Sequence, residues 1–330
     1  MLRIATIGTS WITSSFIGGL DLIDDCFTLE AVYSRTAERG EEFLKEIGKT
    51  ARVFDDLDKL ALDENIDAVY IASPNSCHFE QSMKMVRAGK HIIVEKPIVT
   101  TEEEFLILAN EAKKNNVVFM EAIIGMHLPA RRILKNAVDR IGKISNCRFE
   151  FCQLSSKYKD YLLGNNPNIF NPAFATGTLM DLGIYCVYPA IDLFGVPDTI
   201  YTQASFLDNG SDGTVSAIFT YSDKIVNIIS SKTCQSDYPS EILGDNGKIS
   251  VGHISKYDDI YITLDSKEEQ LVGEMTKEEL MSYEAKDFYR YITEPQETKY
   301  EYKEMQELAH TVCAVMEAMR MQSNIIFTNK

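Results

Sequence analysis

Glu95-Lys96-Pro97 closes the apolar run His91-Ile92-Ile93-Val94, and it holds the first side chain with chemistry in prospect. The run reads as a buried strand. Open α/β sheets bind ligands beyond the carboxyl ends of their strands, which is where Lys96 emerges. A partly desolvated ammonium gives up its proton more readily than one in water, so this lysine can exchange protons with a substrate hydroxyl. Pro97 fixes φ and lacks an amide donor, which ends the strand and sets the lysine's place. A solvated turn lysine is the plain alternative. Further along, Asp181 and Tyr185 stand four apart in the apolar stretch 178–194. On a helix, both project from one face.

A second constellation precedes these. Gly8-Thr9-Ser10-Trp11-Ile12-Thr13 falls where a first strand, 2–7, meets a first helix. A dinucleotide site needs a tight turn there and close approach of backbone to pyrophosphate at a helix N-terminus. Gly8 supplies the turn. Ser10 and Thr13 occupy the places of the second and third glycines of G-x-G-x-x-G, so the motif is degenerate. Ser10 is small, and its hydroxyl can donate to a phosphate. At the end of the next strand, an NAD site wants an acid for the ribose 2′-hydroxyl. Glu30 lies at the strand's start, and the end holds Ser34 and Arg35, with Arg39 about one helical turn on. A hydroxyl and guanidinium groups suit a 2′-phosphate, so NADP(H) is favoured, with NAD(H) possible. Thr36 as a helix cap beside a solvated Arg35 is the competing reading.

The elements around these residues alternate. Strand signals at 2–7, 28–33, 52–54, 68–72, 91–94 and 117–121 are separated by helical patterns at 38–47, 57–63, 79–88 and 102–115. This is the βαβ rhythm of a doubly wound parallel sheet, a Rossmann domain. The pattern then changes. A helix at 129–138, a strand at 145–154 and the apolar helix 178–194 lead into antiparallel signals at 200–206, 215–221, 225–231, 240–243, 248–251 and 260–264. Helices at 283–292 and 304–321 close the chain. The boundary falls near 121–124. This gives a dinucleotide-binding domain over 1–122 and an α+β substrate-binding and dimerisation domain, with a mainly antiparallel open sheet, over 123–330.

Composition narrows the class. The chain has 330 residues, so two domains are the default. Its formal net charge of −16, spread along the sequence, argues against nucleic-acid binding. No apolar stretch is long enough for a bilayer, and no charged-then-apolar leader opens the chain. The seven cysteines show no C-x-x-C and no metal spacing, so reduced thiols in a cytoplasmic protein and no metal are expected.

The Gly8 loop, Ser73-Pro74-Asn75 with His78, Glu95-Lys96-Pro97, Glu121-Ala122 with Pro129, and Asp181-Leu182-Gly183-Ile184-Tyr185 occur in the order and separation of the Gfo/Idh/MocA oxidoreductase family. The chain resembles that family over nearly its whole length. The D-x-G-x-Y form and the Trp11-Ile12 pair are similar to its dihydrodiol dehydrogenase and glucose–fructose oxidoreductase branch. The resemblance implies hydride transfer between a nicotinamide and a carbon bearing a hydroxyl or carbonyl, on a small sugar, polyol or cyclic diol. It also implies a homodimer, or a higher homo-oligomer, through the C-terminal sheet.

On that resemblance, Tyr185 is the proton donor or base, Lys96 supplies the positive charge beside it, and Asp181 orients the substrate hydroxyl or the lysine. Which of Lys96 and Tyr185 transfers the proton stays open. Gly8, Ser10, Trp11, Ile12, Ser34, Arg35, Arg39, Ser73, Pro74, Asn75, His78 and Glu95 are the expected cofactor neighbours. His78 also reads as a helix N-terminal residue. Two departures stand near the expected substrate position. Ala175-Thr176-Gly177 replaces three glycines, and Met126 replaces an arginine. A non-catalytic NADP-binding sensor is the alternative function, though a sensor would need neither lysine nor tyrosine.

Overall fold

The computed structural model describes residues 1–328, in two compact units. The first comprises Met1–Ile123 with Thr276–Glu307, and the second comprises Ile124–Met275 with the segment from Leu308.

The first unit is built on a six-stranded sheet of β1 (Leu2–Ile7), β2 (Phe27–Tyr33), β3 (Arg52–Phe54), β4 (Ala68–Ile71), β5 (His91–Glu95) and β6 (Phe119–Ala122). All pairings are parallel, in the order β3-β2-β1-β4-β5-β6. Ile4 to Ile7 and all of β4 are buried, as expected of parallel strands covered on both faces. The connecting helices are α1 (Trp11–Leu20), α2 (Ala37–Glu46), α3 (Leu57–Leu62), α4 (Asn75–Arg87) and α5 (Glu102–Asn115). Thr36, Asp56 and Thr101 cap α2, α3 and α5 with their side-chain oxygens. Strand order reverses between β1 and β4, so the ligand crevice of this sheet lies beyond their carboxyl ends. Gly8, Ser34, Ser73 and Lys96 follow β1, β2, β4 and β5 there.

The sequence reading kept 123–330 together as one domain, whereas the structure returns part of that stretch to the first unit. α10 (Lys277–Thr293) packs along α1, where a Cβ on Gly19 would come within 3.0 Å of the backbone of Ser282. α10 also starts six residues before the expected helix, because Thr276 and Glu279 form a reciprocal capping box. The first turns of α11 (Lys299–Gln322) cover edge strand β6: Tyr302 and Gln306 both donate to the Phe119 carbonyl, at 3.1 and 2.7 Å. An edge so covered offers no strand to a neighbour.

The second unit begins with α6 (Ile124–His127) and α7 (Pro129–Val138), and α8 (Tyr158–Leu162) follows later. Its sheet is formed by β7 (Ile144–Cys152), β8 (Thr199–Phe206), β9 (Asp212–Thr220), β10 (Ile225–Ser231), β11 (Ser240–Gly244), β12 (Gly247–His253), β13 (Asp258–Leu264) and β14 (Lys267–Val272). The order is β14-β13-β12-β11-β7-β10-β9-β8, antiparallel throughout except for β7 with β10. β14 was not foreseen, because Lys-Glu-Glu-Gln at its start has no apolar alternation. One face carries Val215, Ala217, Phe219, Val226, Ile228 and Phe149, all buried, and packs under α9 (Ile184–Phe194).

α9 is held by an ion pair. Asp192 accepts from both Arg131 Nε at 2.9 Å and Nη2 at 2.6 Å, and Lys135 Nζ lies 2.7 Å away. Burial alone would raise the Asp192 pKa; the Arg131 hydrogen bonds, with Lys135, outweigh it and hold the carboxyl below its usual range. Asp192→Ala removes the buried carboxylate that answers the half-buried Arg131 guanidinium and is expected to cost about 3–5 kcal/mol, read as a fall in the urea midpoint at neutral pH. Because the folded pKa is depressed, this stabilisation is present above the unfolded value of about 3.9 and is lost as pH falls through the folded one. The gap between parent and variant should therefore close in acid.

Candidate active site

At the nucleotide loop, Gly8 holds φ +112° and its amide donates to the Tyr33 carbonyl at 3.2 Å. A Cβ there would lie 2.6 Å from the Ala72 carbonyl oxygen, so only glycine lets β1 turn this close to β4. Ser10 is the N-cap of α1 in extended backbone, with its side chain not spent on the helix and no acid in the first turn. The positive end of α1 and a small hydroxyl thus sit where a pyrophosphate belongs, and the donor set fits a dinucleotide. Trp11 is 71% exposed, with the Lys277 ammonium 5.7 Å from its ring centroid. Ile12, beside it, is half-buried.

Ser34 is buried after β2, and Arg35 is exposed. Arg39 does more than solvate. Its guanidinium donates to the Thr9 carbonyl at 3.1 Å and pairs with Glu46 at 2.9 Å. It therefore ties α2 to the phosphate loop. The hydrogen bond with Glu46 raises the arginine's pKa and lowers that of its partner.

Beyond β4 and β5 the loops brace one another. Pro74 is the N-cap of α4 and Asn75 its first residue, so the helix starts four residues before the expected Phe79. Ser73 Oγ donates to Gln81 at 2.7 Å. His78 was expected among the cofactor neighbours. It is instead fully buried, with Nδ1 2.8 Å from the Pro97 carbonyl and Nε2 2.9 Å from the Ser73 carbonyl. Both ring nitrogens are committed to backbone, so His78 clips the Ser73 loop to the Lys96–Pro97 turn. Burial lowers its pKa, and the two carbonyls oppose that; a neutral imidazole can donate to only one of them. Glu121 adds a brace by accepting from the Ile98 amide at 2.8 Å.

Glu95 accepts from the Tyr70 hydroxyl at 2.7 Å. Burial nevertheless raises its pKa. Behind it lies Glu284 of α10, wholly buried, whose two carboxylate oxygens meet no donor. Burial first, then the Glu95 charge, pushes Glu284 well above the ordinary carboxyl range. No local signal marks it, because a lone glutamate among charged helix residues reads as solvated.

In the second unit, Asp181 lies in a π turn, Leu179–Gly183, which runs directly into α9. The sequence reading expected one α-helix here. Wider i→i+5 turns mark functional sites in many helices. Asp181 remains partly exposed, at 30% of its side chain. Tyr185 is half-buried, its ring edge-on to Phe151 at 5.8 Å. Ala175, where the family often has glycine, keeps a left-handed φ of +53°. That is the conformation glycine takes at least cost. Met126 is buried in α6. Lys232 and Asp212, which the sequence reading overlooked, lie beneath Asp181: Lys232 Nζ is 2.8 Å from Asp181 Oδ2. Among the described residues, no helix is long and apolar enough to cross a membrane.

The fold and these motifs define a dinucleotide-dependent oxidoreductase, and comparison with known proteins agrees. Residues 2–123 match the model of the "Oxidoreductase family, NAD-binding Rossmann fold", and residues 130–250 match the "GFO/IDH/MocA C-terminal domain". The chain is 36% identical to scyllo-inositol 2-dehydrogenase (NADP(+)) IolU of Bacillus subtilis, over 99% of this chain and 98% of that protein. It is 30% identical to trans-1,2-dihydrobenzene-1,2-diol dehydrogenase of Mus musculus, over 58% of this chain and 56% of the relative. Its fold superposes on KijD10, a 3-ketoreductase from Actinomadura kijaniata solved with NADP and TDP-benzene, with a TM-score of 0.85 at 19% identity and 99% coverage of each chain. The chain belongs to the Gfo/Idh/MocA oxidoreductase family.

Proposed function

We propose that this chain is an NADP-dependent dehydrogenase that moves a hydride between the cofactor and a CH–OH or carbonyl carbon of a small sugar, polyol or cyclic diol. The observation that carries this reading is the end-to-end match to an NADP-dependent inositol dehydrogenase. Bound NADP(H) supplies or accepts the hydride at its nicotinamide. The chain manages the proton. Lys96 gives the substrate oxygen a positive hydrogen-bond donor as charge develops on it. Tyr185 passes the proton to or from that oxygen, and an adjacent cation is what lets a phenol do so near neutral pH. Asp181 accepts from a substrate hydroxyl. Gly8, Ser10, Trp11, Ile12, Ser73, Pro74 and Asn75 seat the cofactor, and Glu95 and His78 fix the turn that presents Lys96.

A panel of inositols, sugars, polyols and dihydrodiols, assayed with NADP+ and NAD+ by nicotinamide absorbance, tests the assignment. Substrate-dependent reduction of NADP+ is expected; no turnover across the panel with either cofactor would defeat it. Ser34, Arg35 and Arg39 are assigned to the 2′-phosphate. The double substitution Arg35→Ala/Arg39→Ala should raise the KM for NADP+ about 10- to 100-fold and that for NAD+ by less than about threefold.

The working form is further proposed to be a cytoplasmic homodimer. All seven cysteines are free thiols, which suits a reducing compartment. The sheet face opposite α9 carries Tyr201, Ile218 and Ile225, at 61%, 44% and 44% exposure, with Tyr201 directly across from Ile218. An exposed apolar sheet face of this kind suits a second copy of the chain. Ile218→Lys should convert a dimer to a monomer at micromolar concentration, measured by light scattering. A monomeric parent would remove the proposal.

A further inference from the structure

Lys232 follows β10 and is almost wholly enclosed. Besides its 2.8 Å ion pair with Asp181, its ammonium donates to the Ile169 carbonyl at 3.3 Å and sits 5.8 Å from the ring centroid of Phe170. A buried ammonium is costly unless carboxylates answer it. A second one is close enough to act electrostatically: Asp212, fully buried at the start of β9. Asp212 Oδ2 accepts from the Leu179 amide at 2.6 Å, at the head of the π turn, while its Oδ1 meets no donor.

The backbone around this pair is locked. Gly177 holds φ +143°, and a Cβ there would collide with Asp212 Oδ1. Thr178 Oγ1 and the Lys232 amide donate to one carbonyl, that of Gly213, at 2.8 and 3.0 Å. Asp181 from the π turn and Asp212 from β9 are carboxyl groups that face the ammonium. The loop 165–171 offers carbonyls and the Phe170 ring, backed by Tyr158 and Tyr161, and no acid or base of its own. The turn that carries Asp181 is thus fixed by the same groups that enclose Lys232.

We propose that Lys232 is a positioning residue for the reaction: it holds Asp181 as an ionised, oriented carboxylate, which commits that group to accepting a hydrogen bond from a substrate hydroxyl. An ionised carboxylate is acceptor-only, so the site selects substrates with a hydroxyl to donate beside the reacting carbon, that is, a 1,2-diol unit. This rests on the polyol reading above. A purely space-filling lysine would do none of it.

The test is Lys232→Met, of similar length without charge, with Asp181 followed by its carboxyl carbon resonance after aspartate labelling and assigned through Asp181→Asn. The titration midpoint of Asp181 should move up by about 1–3 pH units in Lys232→Met. The acid limb of kcat/KM should move with it. At neutral pH, kcat/KM for a 1,2-diol should drop about 10- to 100-fold, mostly through KM, approaching that for the monohydroxy analogue. NADP+ affinity should stay within about twofold. An unmoved midpoint, or lowered stability with an unmoved acid limb, overturns the proposal. Should Lys232→Met not fold, Lys232→Met/Asp181→Asn leaves neither charge bare. It should match Asp181→Asn alone, and a further loss beyond about tenfold would count against the pairing. If the parent oxidises no polyol, the functional reading fails, while the carboxyl titration still decides the role of Lys232.

Discussion

Lys96→Ala should lower kcat about 10³-fold while leaving NADPH affinity within about threefold. The size follows from losing two effects together. In the proposed mechanism the ammonium would donate to the substrate oxygen as it takes on alkoxide character, and its charge would help the proposed phenol share a proton with that oxygen. Removing it also pushes the tyrosine-controlled limb of the pH–rate profile to higher pH, because an unassisted phenol titrates near 10. Cofactor binding survives because the loop that presents Lys96 is fixed by other groups: His78 clips the Pro97 carbonyl, Glu121 holds the Ile98 amide, and Glu95 is anchored by Tyr70. Stopped-flow hydride transfer, with NADPH binding read by fluorescence, separates the two. Parent-like turnover on the true substrate would remove Lys96 from the chemistry.

Tyr185→Phe should lower kcat about 10²-fold, with KM for the polyol changed by less than about threefold. Only one oxygen is deleted. The ring keeps its edge-on contact with Phe151, and α9 keeps its Arg131–Asp192 anchor. The tyrosine limb of the pH profile should vanish instead of moving. This is a different signature from Lys96→Ala, and it distinguishes the proton carrier from the group that polarises it. If Tyr185→Phe retains the limb and Lys96→Ala abolishes it, the two assignments exchange.

Much of the molecule was legible before any coordinates. The six parallel strands stand close to where alternation with helices put them, because a strand buried on both faces needs a short apolar run. Lys96 stands where its position in the sequence puts it, just beyond the carboxyl end of such a run. Local signals also hid things. α4 begins at Asn75 because Pro74 serves as its cap, whereas a proline in sequence reads as a break. The π turn at Leu179–Gly183 leaves the apolar pattern of a helix unchanged and alters only which amide meets which carbonyl. β14 is a charged edge strand, whose pairing to β13 lies in backbone and not in side-chain pattern.

The sequence by itself determined the alternating strand-and-helix architecture, the tight turn at Gly8, and the place of Lys96 just beyond the end of β5. These are set within a few neighbouring residues, by apolar periodicity, by the turn only glycine allows, and by proline. The tertiary structure alone decided that Lys232 pairs with Asp181, that Asp212 underpins the same turn, that Glu284 lies buried behind Glu95, and that α10 returns to pack on α1. Those partners are from about thirty to more than two hundred and fifty residues apart in the chain. A charge's meaning depends on what surrounds it: the same lysine is solvated on an open strand and an anchor when burial sets it against carboxylates.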